Sequence, residues 1–262
     1  IINNATVQAN GTSHGGNIQL TTTSGDINLQ SALIQTNGAT GRGGQIAIAA
    51  TNYTSIESST VEATGYSAGG TIKVGNDASN ANNIGNTLPF SILTNLDASS
   101  IINASQTNPA NTTNGGYIET SGQTINLLSS INAGRGGMWL LDPVDITIDS
   151  AYAASIVDGL ANSSVTVSAS GSIYITNGFH TTSNNNLYFK ASGAIVVNGG
   201  VSIWLNSSGG TGSLYMGGQD VDTITSSNWS TGCANCYATT VSGGLRGAYY
   251  SGINLGTEGA AV

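Results

Sequence analysis

Gly15-Gly16-Asn17-Ile18-Gln19-Leu20 decides the reading of this chain, because the phrase keeps returning. It comes back as Gly43-Gly44-Gln45-Ile46-Ala47-Ile48, as Gly69-Gly70-Thr71-Ile72-Lys73-Val74 and as Gly115-Gly116-Tyr117-Ile118-Glu119-Thr120. A fifth, more apolar copy reads Gly136-Gly137-Met138-Trp139-Leu140-Leu141. The starts lie 28, 26, 46 and 21 residues apart. One strand-turn phrase every roughly 20–30 residues is the signature of a solenoid, whose units stack because none buries its apolar face alone. Solenoids work through long surfaces more often than through one deep pocket.

Working outward, each early copy carries two further phrases. After Gly15-Gly16 come Ser24-Gly25-Asp26-Ile27-Asn28-Leu29 and Ser31-Ala32-Leu33-Ile34-Gln35-Thr36-Asn37-Gly38. The last phrase recurs as Ser58-Ser59-Thr60-Val61-Glu62-Ala63, Ser99-Ser100-Ile101-Ile102-Asn103-Ala104 and Ser129-Ser130-Ile131-Asn132-Ala133. One coil therefore reads strand, turn, strand, corner, strand, Gly-rich turn. Alternation with period 2 turns one face of each strand inward and the other outward. β-Branched residues dominate the inward positions, as a pleated surface prefers. The expected fold is all-β, a parallel β-helix or β-solenoid. At about 22 residues per coil the 262 residues make roughly a dozen coils.

Two domains are expected. Residues 1–137 carry the Gly-Gly-x-Ile repeats, with a loop insertion at about 76–95, either bulging from one corner or making a coil with a long loop, that absorbs the long step between the third and fourth copies. That stretch holds Asn80, Asn82, Asn83, Asn86 and Pro89. Residues 138–262 continue the β-helix with altered coils and end in a loop-rich segment. Near the start of this second part, Asp149 to Leu160 offers an acceptor-type cap and a late glycine, and is the one helix expected. Beyond it run apolar-flanked triplets: Val165-Thr166-Val167, Ile173-Tyr174-Ile175, Leu187-Tyr188-Phe189, Ile195-Val196-Val197, Ile203-Trp204-Leu205 and Leu214-Tyr215-Met216. Short strands at such spacing also suit a β-sandwich. The Asn-Gly and Gly-Gly turns found at both ends of the chain favour continued winding.

Composition excludes several partners. Only 7% of residues are charged, and the net charge is −8 with five Lys and Arg. No basic stripe exists to neutralise phosphates, so nucleic acid is not expected. An anionic membrane surface is not expected for the same reason. No apolar run approaches the ~18 residues of a membrane span, so the chain is not expected to cross one. It begins Ile1-Ile2 without Met, which reads as a processed product or an excised piece of something longer.

At Gly136-Gly137-Met138-Trp139-Leu140-Leu141-Asp142-Pro143-Val144-Asp145-Ile146-Thr147-Ile148 the sequence resembles the filamentous-haemagglutinin-like exoproteins of Gram-negative two-partner secretion. The Gly-Gly-x-Ile repeats look like the shaft repeats of the same adhesins, and the likeness covers most of the chain, weakest after Trp229. The resemblance implies a right-handed parallel β-helix, export through an outer-membrane transporter partner and a place in the medium or at the bacterial cell surface. It implies adhesion or aggregation, with host-surface glycans, host proteins or like chains as partners. The family's Asn-Pro-Asn secretion signature has no match, since Asn108-Pro109-Ala110 departs from it, so the shaft or distal part is implied. The family supplies no catalytic residues. Read physically, Trp139 and Leu141 face one way and Leu140 the other, and Pro143, without an N–H, interrupts the ladder.

The expected function is thus a non-catalytic extracellular structural and binding module, not an enzyme. Two alternatives stand beside it: a subunit of a self-assembling extracellular β-helical filament, and a polysaccharide-active β-helix enzyme. Tyr174, Tyr188, Trp204 and Tyr215 share the middle slot of their triplets and form a candidate exposed aromatic ladder for sugar rings or a partner protein. Alternation puts Asp220 and Asp222 on one face, where they read as a catalytic pair, a weak calcium site or a solvated edge. Asp142, Asp145 and Asp149 raise the same calcium question. No cofactor is expected beyond that calcium. Cys233 and Cys236 close a small surface loop as a disulfide in an exported protein, or stay as two free thiols.

Overall fold

The computed structural model describes the chain except residues 77–87, 112, 198–200, 207–211, 218–223, 226–229, 234–253 and 257–262. It is built mostly of short parallel strands and divides into two compact units. One comprises Ile1–Pro143 with Asn162–Ser164; the other comprises Val144–Ala161 with Val165–Val262.

In the first unit the strands run β1 Ile2–Asn3, β2 Thr6–Gln8, β3 Asn17–Thr22, β4 Ile27–Gln30, β5 Leu33–Gln35, β6 Gln45–Ala50, β7 Tyr53–Glu57 and β8 Thr60–Glu62. They continue as β9 Thr71–Val74, β10 Leu93–Leu96, β11 Ile101–Asn103, β12 Tyr117–Gly122, β13 Thr124–Leu127, β14 Ser130–Asn132 and β15 Met138–Pro143. Every third strand shares a sheet. One sheet is ordered β3-β6-β9-β12-β15, a second β1-β4-β7-β10-β13 and a third β2-β5-β8-β11-β14. All pairings are parallel, so each strand lies beside its equivalent one coil away. This is the solenoid arrangement that the repeated phrase predicts.

Inward positions stack into apolar rows. Ile18, Ile46, Ile72, Ile118 and Trp139 are in register on the first sheet. Leu29, Ile56, Leu96 and Leu127 form the row on the second, and Ile34, Val61, Ile102 and Ile131 that on the third. All of these side chains are buried. Trp139 is wholly inside, as its alternation with Leu140 predicts, and its Nε1–H donates to Thr120 Oγ1 at 3.0 Å.

The Gly-Gly pair closes each coil. The N–H of Gly16 reaches the carbonyl of Ala9 at 2.7 Å; Gly44 reaches Thr36 at 2.7 Å and Gly70 reaches Ala63 at 2.8 Å. These bonds tie the end of a third-sheet strand to the start of the next first-sheet strand. A Cβ on Gly15 would stand 1.8 Å from the Thr36 carbonyl oxygen, and one on Gly43 would stand 2.0 Å from that of Ala63. No side chain fits at either corner, and this close approach is why glycine recurs there.

The insertion expected over 76–95 needs correction at its far end. Leu93–Leu96 is β10, in register with Tyr53–Ile56 and with Thr124–Leu127. Its residues alternate half-buried and buried, so this stretch completes the coil. The preceding Asn-rich composition had masked that alternation. Where the chain re-enters the described residues, Leu88 is buried in a cluster with Ala47 and Ala49. Those two alanines share strand β6 with Ile46 and Ile48.

The second unit contains β16 Ile146–Ile148, α1 Ser150–Asn162, β17 Ser164–Ala169, β18 Ile173–Ile175, β19 Phe179–His180 and β20 Leu187–Ala191. It goes on with β21 Ile195–Val197, β22 Ser202–Asn206, β23 Leu214–Gly217, β24 Ile224–Thr225, β25 Ser230–Cys233 and β26 Asn254–Gly256. Three parallel stacks again result: β16-β18-β21-β24, β17-β20-β23 and β19-β22-β25-β26. The helix sits where the sequence places it. Asp149 Oδ1 accepts the N–H groups of Ala151 at 2.9 Å and Tyr152 at 3.1 Å, satisfying two of the first-turn donors. Ala153, Ile156 and Leu160 form the buried stripe of α1. At its far end the Leu160 carbonyl accepts from Ser183 Oγ at 2.6 Å and Asn185 Nδ2 at 2.9 Å. No helix among the described residues is long and apolar enough to cross a membrane.

Candidate functional site

The aromatic ladder does not form as one row. Tyr188 and Tyr215 do meet: they pair in register on the β17-β20-β23 stack, with ring centroids 4.6 Å apart and planes 8° from parallel. Tyr174 lies on a different sheet, between Thr147 and Val196. Trp204 lies on the third, opposite His180. The reason is the coil length. Triplets 8 residues apart alternate between faces, and only those a whole coil apart stack. Thus Thr166, Tyr188 and Tyr215 share a column, as do Tyr174 and Val196.

Burial of the middle slot varies, since Thr166 is buried and Val196 half-buried. Tyr174 is 43% exposed between buried Ile173 and Ile175. Tyr188 and Tyr215 are half-buried between buried aliphatic or aromatic flanks. Asn186 pins the stacked pair: its Nδ2 donates to the Tyr188 hydroxyl at 3.0 Å, and its Oδ1 accepts the Ser213 N–H at 2.9 Å. Lys190 Nζ lies 5.8 Å from the Tyr188 ring centre. Because the two rings face each other, each covers one face of the other that a sugar would otherwise stack on. Such a pair contributes about 0.5–1.5 kcal/mol to holding adjacent coils together. Of the three ladder tyrosines, Tyr174 is the most exposed.

The other sequence candidates fare as follows. Asp220 and Asp222 lie outside the described residues, as does Cys236; Cys233 ends strand β25. Asp145 Oδ1 accepts the Ser172 N–H at 2.6 Å, and Asp149 is occupied at the helix cap, so both carboxylates serve backbone turns. Among the described residues no three His, Cys, Asp or Glu side chains gather where a metal ion could sit.

One open groove of about 440 Å³ was not foreseen. It runs along the Gly-Gly corner of the first unit, over Gly15-Gly16, Gly43-Gly44 and Gly70. Asn17, Gln45 and Thr71 form one wall as a register row on β3, β6 and β9. His14 and Arg42 line the rim, and both are exposed. The floor offers no free donors, because the N–H groups of Gly15, Gly16, Gly43, Gly44 and Gly70 all bond within the fold. Recognition there falls to the rim and wall side chains.

The rim has a pattern the sequence does carry. The residue just before each Gly-Gly pair is His14, Arg42, Ala68, Asn114 and Arg135 in turn. Backbone bonds stack all five, since Gly15 N–H donates to the carbonyl of Arg42, Gly43 to Ala68, Gly69 to Asn114 and Gly115 to Arg135. Two of the five Lys and Arg residues and one of the two His therefore fall in a single coil position. Arg42 and Arg135 are both exposed. Scanning this one slot across the repeats would have found the column.

Comparison of the chain with known protein families, with curated proteins and with solved structures finds no match. What defines it is its own geometry: parallel coils, a corner of stacked Gly-Gly pairs and a rim of basic residues.

Proposed function

We propose that this chain is the non-catalytic shaft-and-binding part of an exported adhesin of the two-partner-secretion type, which attaches to an acidic glycan along its Gly-Gly corner. In this reading the coils wind right-handed. With one phrase per 26 to 28 residues in the early repeats, the whole chain makes roughly ten to a dozen of them. Export through an outer-membrane transporter leaves the module outside a Gram-negative cell, facing host glycans, host proteins or other copies of itself.

The observation that carries this reading is the column His14, Arg42 and Arg135 in an otherwise acidic chain. Positive charge set at one coil position repeats along the stack at multiples of ~4.8 Å, the interstrand spacing. That is close to the length of one hexose in an extended glycan. Amide and hydroxyl side chains at Asn17, Gln45 and Thr71 suit sugar hydroxyls, and the arginines suit carboxylates bidentately. Arrays of neutral, sulfated and carboxylated glycans, probed with the purified chain and with an Arg42→Ala/Arg135→Ala variant, test it. Selective, salt-sensitive binding to carboxylated sugars, lost in the variant, is the expected result. Equal binding by the variant, or none by either protein, would sink the glycan reading.

A further inference from the structure

Lys73 and Glu119 are directly opposed on the adjacent strands β9 and β12. Both point to the outer side of their sheet, yet their side chains are only 2% and 0% exposed. Lys73 Nζ stands 3.0 Å from Glu119 Oε2, and it has no other acceptor among the described residues. A buried ammonium with so little compensation is costly, since each unmet donor loses its hydration. Glu119 is better served. Ser121 Oγ donates to its Oε1 at 3.0 Å, and the Tyr117 hydroxyl donates to its Oε2 at 3.2 Å.

We infer that Lys73 and Glu119 condense into an amide, a covalent cross-link between neighbouring coils. In so buried a site, the ammonium passes one proton to Oε2, leaving a neutral amine beside a neutral carboxylic acid. The amine lone pair then attacks the Glu119 carboxyl carbon, and the new N–C bond forms as charge moves onto Oε1. Ser121 is placed to hold that oxyanion. A second proton moves from nitrogen to Oε2, the C–Oε2 bond breaks, and one water leaves beside the Tyr117 hydroxyl. An ammonium and a carboxylate go in; an amide and a water come out, with no change in oxidation state. Register pairing supplies the proximity that an intermolecular condensation lacks. The product carries neither buried charge and replaces three ammonium donors with one amide N–H.

The position gives the link a purpose. Lys73 and Glu119 flank the longest step between Gly-Gly copies, the one that contains the insertion. An amide there closes the widest loop of the first unit and makes its opening covalently costly, as a disulfide would in an oxidising medium.

Mass spectrometry decides the matter on the unmodified chain. The intact protein is expected to weigh one water less than its sequence. Arg42 and Arg135 bracket the pair, so trypsin acting on denatured protein should release residues 43–135 as one piece, uncut after Lys73. Fragment ions should join Lys73 to Glu119. Lys73→Arg should restore the sequence mass, and Ser121→Ala should slow the loss of water in freshly refolded protein. A full sequence mass, with 43–73 and 74–135 released as separate peptides, overturns the inference.

Discussion

Two rows of side chains run along the same five strands, one residue apart. The inner row is Ile18, Ile46, Ile72, Ile118 and Trp139; the outer row is Gln19, Ala47, Lys73, Glu119 and Leu140. The inner row is buried throughout. The outer row starts exposed at Gln19 and then becomes buried from Ala47 to Leu140. Alternation fixes which side of the sheet a residue faces. It does not fix whether that side meets water, because burial of the outer face depends on chain that returns from elsewhere. At Ala47 and Ala49 that chain includes Leu88. The lesson is that period 2 reports direction, and that an Ala-Ile-Ala run such as Ala47-Ile48-Ala49 reports a face covered on both sides.

The comparison breaks most sharply at Trp139. Trp139→Ala removes the largest inward side chain and leaves Thr120 without its indole partner. A loss of about 3–5 kcal/mol is expected in urea or guanidinium unfolding. A change under 1 kcal/mol would mean that the inner row does not carry the unit. On the outer row, Ala47→Leu should cost roughly 1–3 kcal/mol by overpacking against Leu88. If that side is open instead, the same variant should be neutral within about 0.5 kcal/mol.

The helix offers the same question of covering as a titration. The Tyr152 hydroxyl is pushed up to about 12, first by burial and then by the neighbouring Asp149 carboxylate. Its folded value lies above the unfolded one, near 10. Stability from this group is therefore complete below about pH 10 and is lost as pH rises from there to about 12. The swing is about 3 kcal/mol at most. Tyr152→Phe should flatten that part of the stability profile; an unchanged slope would place the tyrosine in water. The smallest effect belongs to the stacked rings. Beyond the packing it removes, Tyr215→Ala should forfeit about 0.5–1.5 kcal/mol of stacking, read as the coupling in a double-mutant cycle with Tyr188→Ala. Zero coupling would show that the two rings act independently.

Much of the fold was legible in the sequence. The Gly-Gly phrase marks the coil start, the alternating strands mark inside and outside, and Asp149 marks the helix cap, because each of these signals is local. What escaped reading is non-local. The aromatic triplets looked like one ladder because they share a slot, but the coil length assigns them to three faces. The pairing of Lys73 with Glu119 spans a 46-residue step, and its burial depends on a cover that no periodicity announces. The basic rim lay in plain view at a fixed repeat position. It was missed because His14 and Arg42 look like isolated turn residues until the coils are aligned.

The register of the first unit also sets how the chain can assemble. Each coil docks on the one before it, about 27 residues back in the early repeats, so the first additions close loops of nearly the same size. Growth can proceed rung by rung, with each new coil finding its template already in place. The single wider step, from Thr71 to Tyr117, adds only roughly 0.5 kcal/mol of closure entropy, since that cost rises with the logarithm of length. A chain delivered end first would therefore meet a template for each new rung, and each completed rung would hold it against slipping back.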